Sequence, residues 1–216
     1  MKIEQPSYTV LYPVTNGEWI REFELIEYAG RTAYKSEAKM VKGSYKEFIQ
    51  TIIKSKHDAV LEFGNMIVKF ITDRGITHEI VRHRLCSYLQ ESTRYCNYAN
   101  DKFGNEVTFI EPSIPDGDWA EPHKKVWTAS MKQAEEAYLT MIIHGCPPQI
   151  ARSVLPNSLK TEIVIKANFR EWRHIFNLRV LGSTGKPHPD MVKLMKPLYE
   201  DLKEVYPFMW DMGKIK

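Results

Sequence analysis

Apolar residues recur along this chain with two different periods. In "EWIREFELIEYAGRTAY", Ile20, Phe23 and Ile26 fall on one side of a 3.6-residue turn, which predicts a helix. "SYKEFIQTIIKS" begins with Ser44 and Glu47 in capping-box spacing, so a helix is expected to start there. "WTASMKQAEEAYLTMI" places Trp127, Met131, Ala134, Tyr138 and Met141 at helical spacing and stops at Gly145, before Pro147 and Pro148. "FREWRHIFNLRVL" and "PDMVKLMKPLYEDLKEV" are helical as well, with a kink or break expected at Pro197. The period shortens elsewhere. "YTVLY" (8–12), "MIVKFIT" (66–72) and "KTEIVIKAN" (160–168) are β-branched, aromatic or alternating, and predict strands. Beyond Gly75, "ITHEIVRHRL" predicts a helix of about three turns. Strands and long helices mix without βαβ alternation, so the pattern predicts an α+β fold with a mixed or antiparallel sheet, not a Rossmann one.

A length of 216 residues predicts a single domain over 1–216. Composition narrows the class. No run of eighteen apolar residues occurs and "MKIEQPSYTV" lacks a signal-peptide core, which predicts a cytoplasmic protein that neither spans a membrane nor is secreted. A net charge of +3 is too small for a general nucleic-acid binder, so any bound anion is expected to be held locally. The cysteines Cys86, Cys96 and Cys146 have neither metal nor disulfide spacing, and no metal site is expected. GxGxxG, GxxxxGK with Ser or Thr, and HExxH are all absent, and Ser87 and Ser92 lack the GxSxG elbow of a nucleophile.

Two stretches carry unusual chemistry. "RHRLCSYLQESTRY" (82–95) packs arginines, a histidine and hydroxyls together. On a helix His78 and Arg82 share a face, and in an extended chain Ser92 and Arg94 point to one side, a pair suited to a phosphate. A solvated basic edge is the alternative. In "NFREWRHIFNLR" (168–179), Trp172, Phe176, Ile175 and Phe169 lie within about 60° of one direction, whereas Arg170, Arg173, His174 and Asn177 gather opposite. Arg179 returns to within roughly 20° of the apolar direction. Either it snorkels to water from the helix end, or it is a cation held dry to meet negative charge. Arg152, in "QIARSVLPNS", is a phosphate contact or a helix-terminal charge.

The pattern Arg-His-Arg, seven residues, Ser (Arg82, His83, Arg84, Ser92) followed by "TRY" resembles the signature of the flavin-dependent thymidylate synthases. "ARSVLPNSLKTEIVIKANFREWRHIFNLR", "KHDAVLEF" and "HPDM" resemble further landmarks of that family, so the likeness spans roughly residues 57 to 195. It implies an α+β fold and an enzyme that methylates dUMP to dTMP reductively. The methyltransferase would use 5,10-methylenetetrahydrofolate as carbon donor, NADPH as reductant and FAD as hydride carrier. A homotetramer with active sites at subunit interfaces is also implied, with no role for nucleic acid.

Residue by residue, Arg82, His83, Arg84, Gln90, Asn168, Phe169, Arg170 and His174 match flavin-binding positions. Glu79, Arg82, Gln90, Glu91, Ser92, Thr93, Arg94 and Arg152 match positions that surround dUMP, with Ser92 and Arg94 near its phosphate. Arg179 matches the arginine that polarises the uracil ring at its N3 side. A divergent relative that alkylates or hydroxymethylates another pyrimidine nucleotide, with changes at Glu79 or in "VLGSTGKPHPDM", is the alternative activity. A non-catalytic basic binding module is a third.

Overall fold

The computed structural model describes residues 1–100, 102 and 104–213. In chain order these form strands β1 (Lys2–Glu4) and β2 (Ser7–Tyr12), helices α1 (Asn16–Thr32) and α2 (Tyr45–Lys54), β3 (Asn65–Asp73), α3 (Arg74–Ile80), β4 (Cys86–Gln90) and β5 (Thr108–Ile110). There follow α4 (Ala120–Ile143), α5 (Pro148–Ala151), β6 (Lys160–Asn168), α6 (Phe169–Arg179), α7 (Pro189–Val205) and α8 (Pro207–Trp210). One sheet has the order β2-β3-β6-β4, and a second pairs β1 with β5 in parallel. The expected α+β class is therefore what the chain adopts. No described helix is long and apolar enough to cross a membrane.

The described residues pack as two compact units between which the chain passes repeatedly. The first comprises Met1–Ser7, Ile71–Ile80 and Leu89–Ile163. Its core joins Tyr98, Val107 and Phe109 to Met131 and Tyr138 of α4. A buried carboxylate pins the edge of that core, since Glu135 accepts from Val107 N at 2.8 Å and pairs with the Met1 amino group at 3.0 Å.

The second unit comprises Tyr8–Phe70, Val81–Tyr88 and Val164–Lys216. Its core is aromatic: Phe169 stacks on Trp19 at 5.8 Å and meets Trp210 edge-on at 5.4 Å, while Trp172 donates its indole N–H to Met66 O at 3.0 Å. Gly64 lets α6 start where it does. A Cβ there would lie 2.6 Å from Phe169 and 2.7 Å from Ile26, and Gly64 O accepts the Phe169 N–H at 2.8 Å. Buried Glu22 of α1 takes the Tyr12 hydroxyl at 2.6 Å and Asn65 N at 2.7 Å.

Four local expectations change. The helix at Tyr45 forms, but no capping box does: Ser44 is itself in a helical conformation and its hydroxyl donates to Glu27 at 2.8 Å. The reciprocal box stands instead at Thr15 and Glu18. Helix α7 runs unbroken through Pro197. Pro197 and Lys193, whose carbonyl the proline leaves without its helical donor, are both on the exposed side of the helix, open to solvent. Helix α3 ends at Ile80, short of three turns, and residues 81–85 form turns, so His78 and Arg82 do not share a helical face. Finally, β4 stops at Gln90 and the chain turns at 93–95, so Ser92 and Arg94 are not on one side of a strand.

Candidate functional site

The second unit assembles one cluster on α6. Asn168, the last residue of β6, caps the helix by accepting Glu171 N at 2.8 Å, which sets the helix's first turn. The apolar face carries Trp172, Ile175 and Phe176 into the core, as the periodicity predicts. The opposite face leaves Arg170, His174 and Asn177 exposed. With Asn168 and Arg173 these residues line a cavity of about 820 Å³. Arg170 there pairs with Glu62 at 2.6 Å, and Arg173 donates to Met209 O. Phe169 belongs to the core, fully buried, so its side chain faces no cavity.

A second cavity, of about 340 Å³, is lined by Arg82, His83, Arg84, Glu171, His174 and Arg179, and it shares Leu85, Glu171 and His174 with the first. Arg82 and Arg84 are exposed, whereas His83 between them is only 6% exposed. The turn is held in this form by Tyr88, whose hydroxyl donates to His83 O at 2.6 Å. Arg179 Nε donates to His83 Nε2 at 3.1 Å. An imidazole nitrogen that accepts carries no proton, so this contact calls for the neutral tautomer of His83 with its hydrogen on Nδ1. Burial, then the charges of Arg179 and His174, push its pKa from 6.5 down to about 4. His83 Nδ1 faces Glu171 Oε1 at 3.6 Å.

Burial lifts the thiol of nearby Cys86 to about 11, with Tyr88 opposing and the Glu171 carboxylate adding to the rise, so it stays protonated at neutral pH.

The first unit assembles another cluster from the stretch after β4. Gln90 Nε2 donates to Thr77 at 3.1 Å and to Thr161 at 3.2 Å. Glu91 N donates to Glu162 O at 2.8 Å, and the Glu91 carboxylate takes the Tyr98 hydroxyl at 2.8 Å. Burial opposes the charge of Lys160, yet hydrogen bonds to Glu162 at 2.7 Å and to Glu91 at 3.4 Å outweigh it and raise its pKa. Buried Thr93 accepts from Arg152 Nη1 at 2.9 Å. Arg94 is exposed and lies over the Tyr95 ring at 5.5 Å, and its backbone N–H reaches Ser92 Oγ at 3.4 Å. Glu79 is half-buried near the end of α3.

The sequence-identified residues thus gather in two groups. Arg82, His83, Arg84, Asn168, Arg170, His174 and Arg179 line contiguous cavities of the second unit, and in the first Arg152 meets Thr93, one residue of the run 90–94. Glu171 was not singled out by the sequence. Its Asn-x-x-Glu setting reads as an ordinary helix start, and only the fold brings its carboxylate to His83.

A donor set of exposed guanidiniums, a histidine and an asparagine amide shared between two adjoining cavities suits an anionic dinucleotide, whose pyrophosphate accepts bidentate bonds from arginine. No group of three or more His, Cys, Asp or Glu among the described residues is arranged to hold a metal ion.

Comparison with known proteins agrees with this chemistry. The family model described as thymidylate synthase complementing protein matches residues 18–208. A flavin-dependent thymidylate synthase of Geobacter sulfurreducens is 33% identical over 136 residues, covering 61% of this chain and 55% of that protein. One from Pyrococcus furiosus is 31% identical over 157 residues, covering 72% of this chain and 63% of its own length. The chain therefore spans less than two thirds of these two relatives. A probable flavin-dependent thymidylate synthase of Paramecium bursaria Chlorella virus 1 is 27% identical and covers 88% of this chain and 91% of the viral protein. Among solved structures, the UMP/dUMP methylase PolB of Streptomyces cacaoi, bound to 5-bromo-dUMP, superposes with a TM-score of 0.78 at 18% identity, over 98% of this chain and 96% of PolB, which shows a shared fold. With the family model matched along nearly the whole length, this chain belongs to the thymidylate synthase complementing proteins, the family of the flavin-dependent thymidylate synthases.

Proposed function

We propose that the protein is a flavin-dependent thymidylate synthase that methylates dUMP to dTMP, with 5,10-methylenetetrahydrofolate as carbon donor and NADPH as reductant. The observation that carries this reading is Arg179, held by its Nε to a buried neutral histidine in a cavity lined by two further arginines. FAD, once bound and reduced by NADPH, would supply the hydride. The chain's own residues do the rest. Arg82, Arg84, Asn168, Arg170 and His174, which line the two cavities, would hold the dinucleotide through charge-assisted hydrogen bonds. Arg179 stabilises negative charge on the uracil ring at its N3 side, which is worth most where water is excluded and the donor is already oriented. Arg152, Ser92 and Arg94 bind the nucleotide phosphate, with Thr93 orienting Arg152.

Active sites completed by further copies, in a homotetramer, belong to the same reading. The names of the flavin-dependent relatives and of PolB support the flavin and the dUMP of this reading, and the tetramer rests on the family resemblance alone.

The purified protein is expected to be yellow, with a flavin spectrum that NADPH bleaches under nitrogen. Protein that neither carries nor takes up FAD refutes the proposal. Comparing dUMP with UMP and dCMP as methyl acceptors separates thymidylate synthesis from modification of another pyrimidine nucleotide.

A further inference from the structure

Glu171 occupies the third position of α6, three residues after its capping Asn168. A carboxylate there ordinarily folds back to close a capping box, as Glu18 does onto Thr15. At α6 only the Asn168 half of the box is present, and the Glu171 carboxylate instead turns to the imidazole of His83. Both side chains are nearly dry, with 8% and 5% of their areas exposed. A buried carboxylate without a compensating partner is costly, and the partner it faces is the Nδ1–H edge of a histidine whose other nitrogen holds Arg179.

We propose that Glu171 is a positioning residue. Its carboxylate keeps the His83 hydrogen on Nδ1, so that Nε2 offers a lone pair to Arg179 Nε and fixes the plane of that guanidinium. At 3.6 Å the carboxylate acts on the N–H dipole through the field rather than through a full hydrogen bond, and low water content strengthens that field. Without Glu171 the proton is free to move to Nε2. His83 and Arg179 would then face each other donor to donor, and the guanidinium would swing away. The catalytic consequence rests on the proposed role of Arg179, whereas the tautomer does not.

The test uses FAD-loaded protein labelled with 15N-histidine, in wild type, Glu171→Ala and Glu171→Gln. Long-range 1H–15N spectra at neutral pH read the tautomer, and His83→Gln identifies the resonance. Wild type is expected to give the Nδ1–H form and Glu171→Ala a shift toward Nε2–H. Turnover of dUMP in Glu171→Ala should fall roughly tenfold or more, the cost of one lost charge-assisted contact, with FAD affinity within about threefold. Glu171→Gln keeps an oxygen facing Nδ1–H but loses the charge, so its tautomer shift and its loss of turnover should fall between those of wild type and Glu171→Ala.

An Nε2–H form in wild type overturns the proposal, and so does an unchanged tautomer in Glu171→Ala. Equal losses in Glu171→Ala and Glu171→Gln, tracking a lower melting temperature, would mark a purely structural residue and overturn it as well. Should Glu171→Ala fail to fold, the wild-type tautomer and Glu171→Gln decide. If Arg179→Ala keeps full turnover while the tautomer responds as expected, the reading of Arg179 has failed and the positioning of His83 by Glu171 has not.

Discussion

Thr93→Val tests whether the phosphate grip proposed for the first unit operates. Thr93 is 4% exposed, and its hydroxyl oxygen accepts from Arg152 Nη1 at 2.9 Å. Valine has nearly the same shape, so the substitution removes the acceptor without opening a cavity. A hydrogen bond to a charged group contributes about 1.5–3 kcal/mol when buried. Arg152 is half-buried, so water partly replaces the lost partner and roughly 1–2 kcal/mol is the fair range. If that energy orients Arg152 equally toward bound substrate and transition state, the loss falls on binding. The KM for dUMP should then rise about 5- to 30-fold, with kcat within about twofold. The assay is the initial rate of dUMP-dependent NADPH oxidation over a range of dUMP concentrations. An unchanged KM, or a fall in kcat equal to the loss in kcat/KM, refutes the assignment of Arg152 to ground-state phosphate binding.

Glu22→Ala removes two hydrogen bonds to a buried carboxylate, costing about 3 kcal/mol and lowering Tm by roughly 6–12 °C in a thermal melt, and an unchanged Tm would contradict the role given to Glu22. Gly64→Ala forces a Cβ against Phe169 and Ile26 and should destabilise by about 1–3 kcal/mol in urea titration, whereas neutrality would mean that α6 can shift freely. His83 has a folded pKa near 4 against an ordinary 6.5, so the unfolded chain binds a proton that the folded one refuses as pH falls through this window. Its contribution to stability is present above about pH 6.5 and lost toward pH 4, and His83→Gln should flatten that part of a stability–pH profile; an identical slope in the variant would show that other groups set it.

Much of the site was legible because its residues sit on elements with strong periods. Strand β6 begins and ends where the alternation puts it, helix α6 starts at Phe169 as the 3.6-residue pattern requires and stops at Arg179, short of Leu181, and Arg179 lies beside the apolar face, half-buried. The turn at 81–85 was not legible. Its apolar spacing continues the helical pattern beyond Ile80, whereas in the fold His83 turns inward to distant Arg179 and Tyr88, five residues on, ties its carbonyl. The same holds for Ser92–Tyr95, where Ser92 O accepts from Tyr95 N and Cys96 N and converts an apparently extended run into a turn. Ser44 shows the opposite error, a correct helix start with its hydroxyl recruited by Glu27, seventeen residues away. Motif spacing picked out the candidate residues, and the folded chain decided how each is presented.

The most direct test of the account is product analysis. FAD-loaded protein is incubated with dUMP, 5,10-methylenetetrahydrofolate and NADPH, and the nucleotides are separated and weighed by mass spectrometry, alongside Arg179→Ala. The account predicts dTMP in proportion to NADPH consumed, and a variant that binds FAD normally yet forms little dTMP. NADPH oxidation without dTMP, or undiminished dTMP from Arg179→Ala, would contradict it.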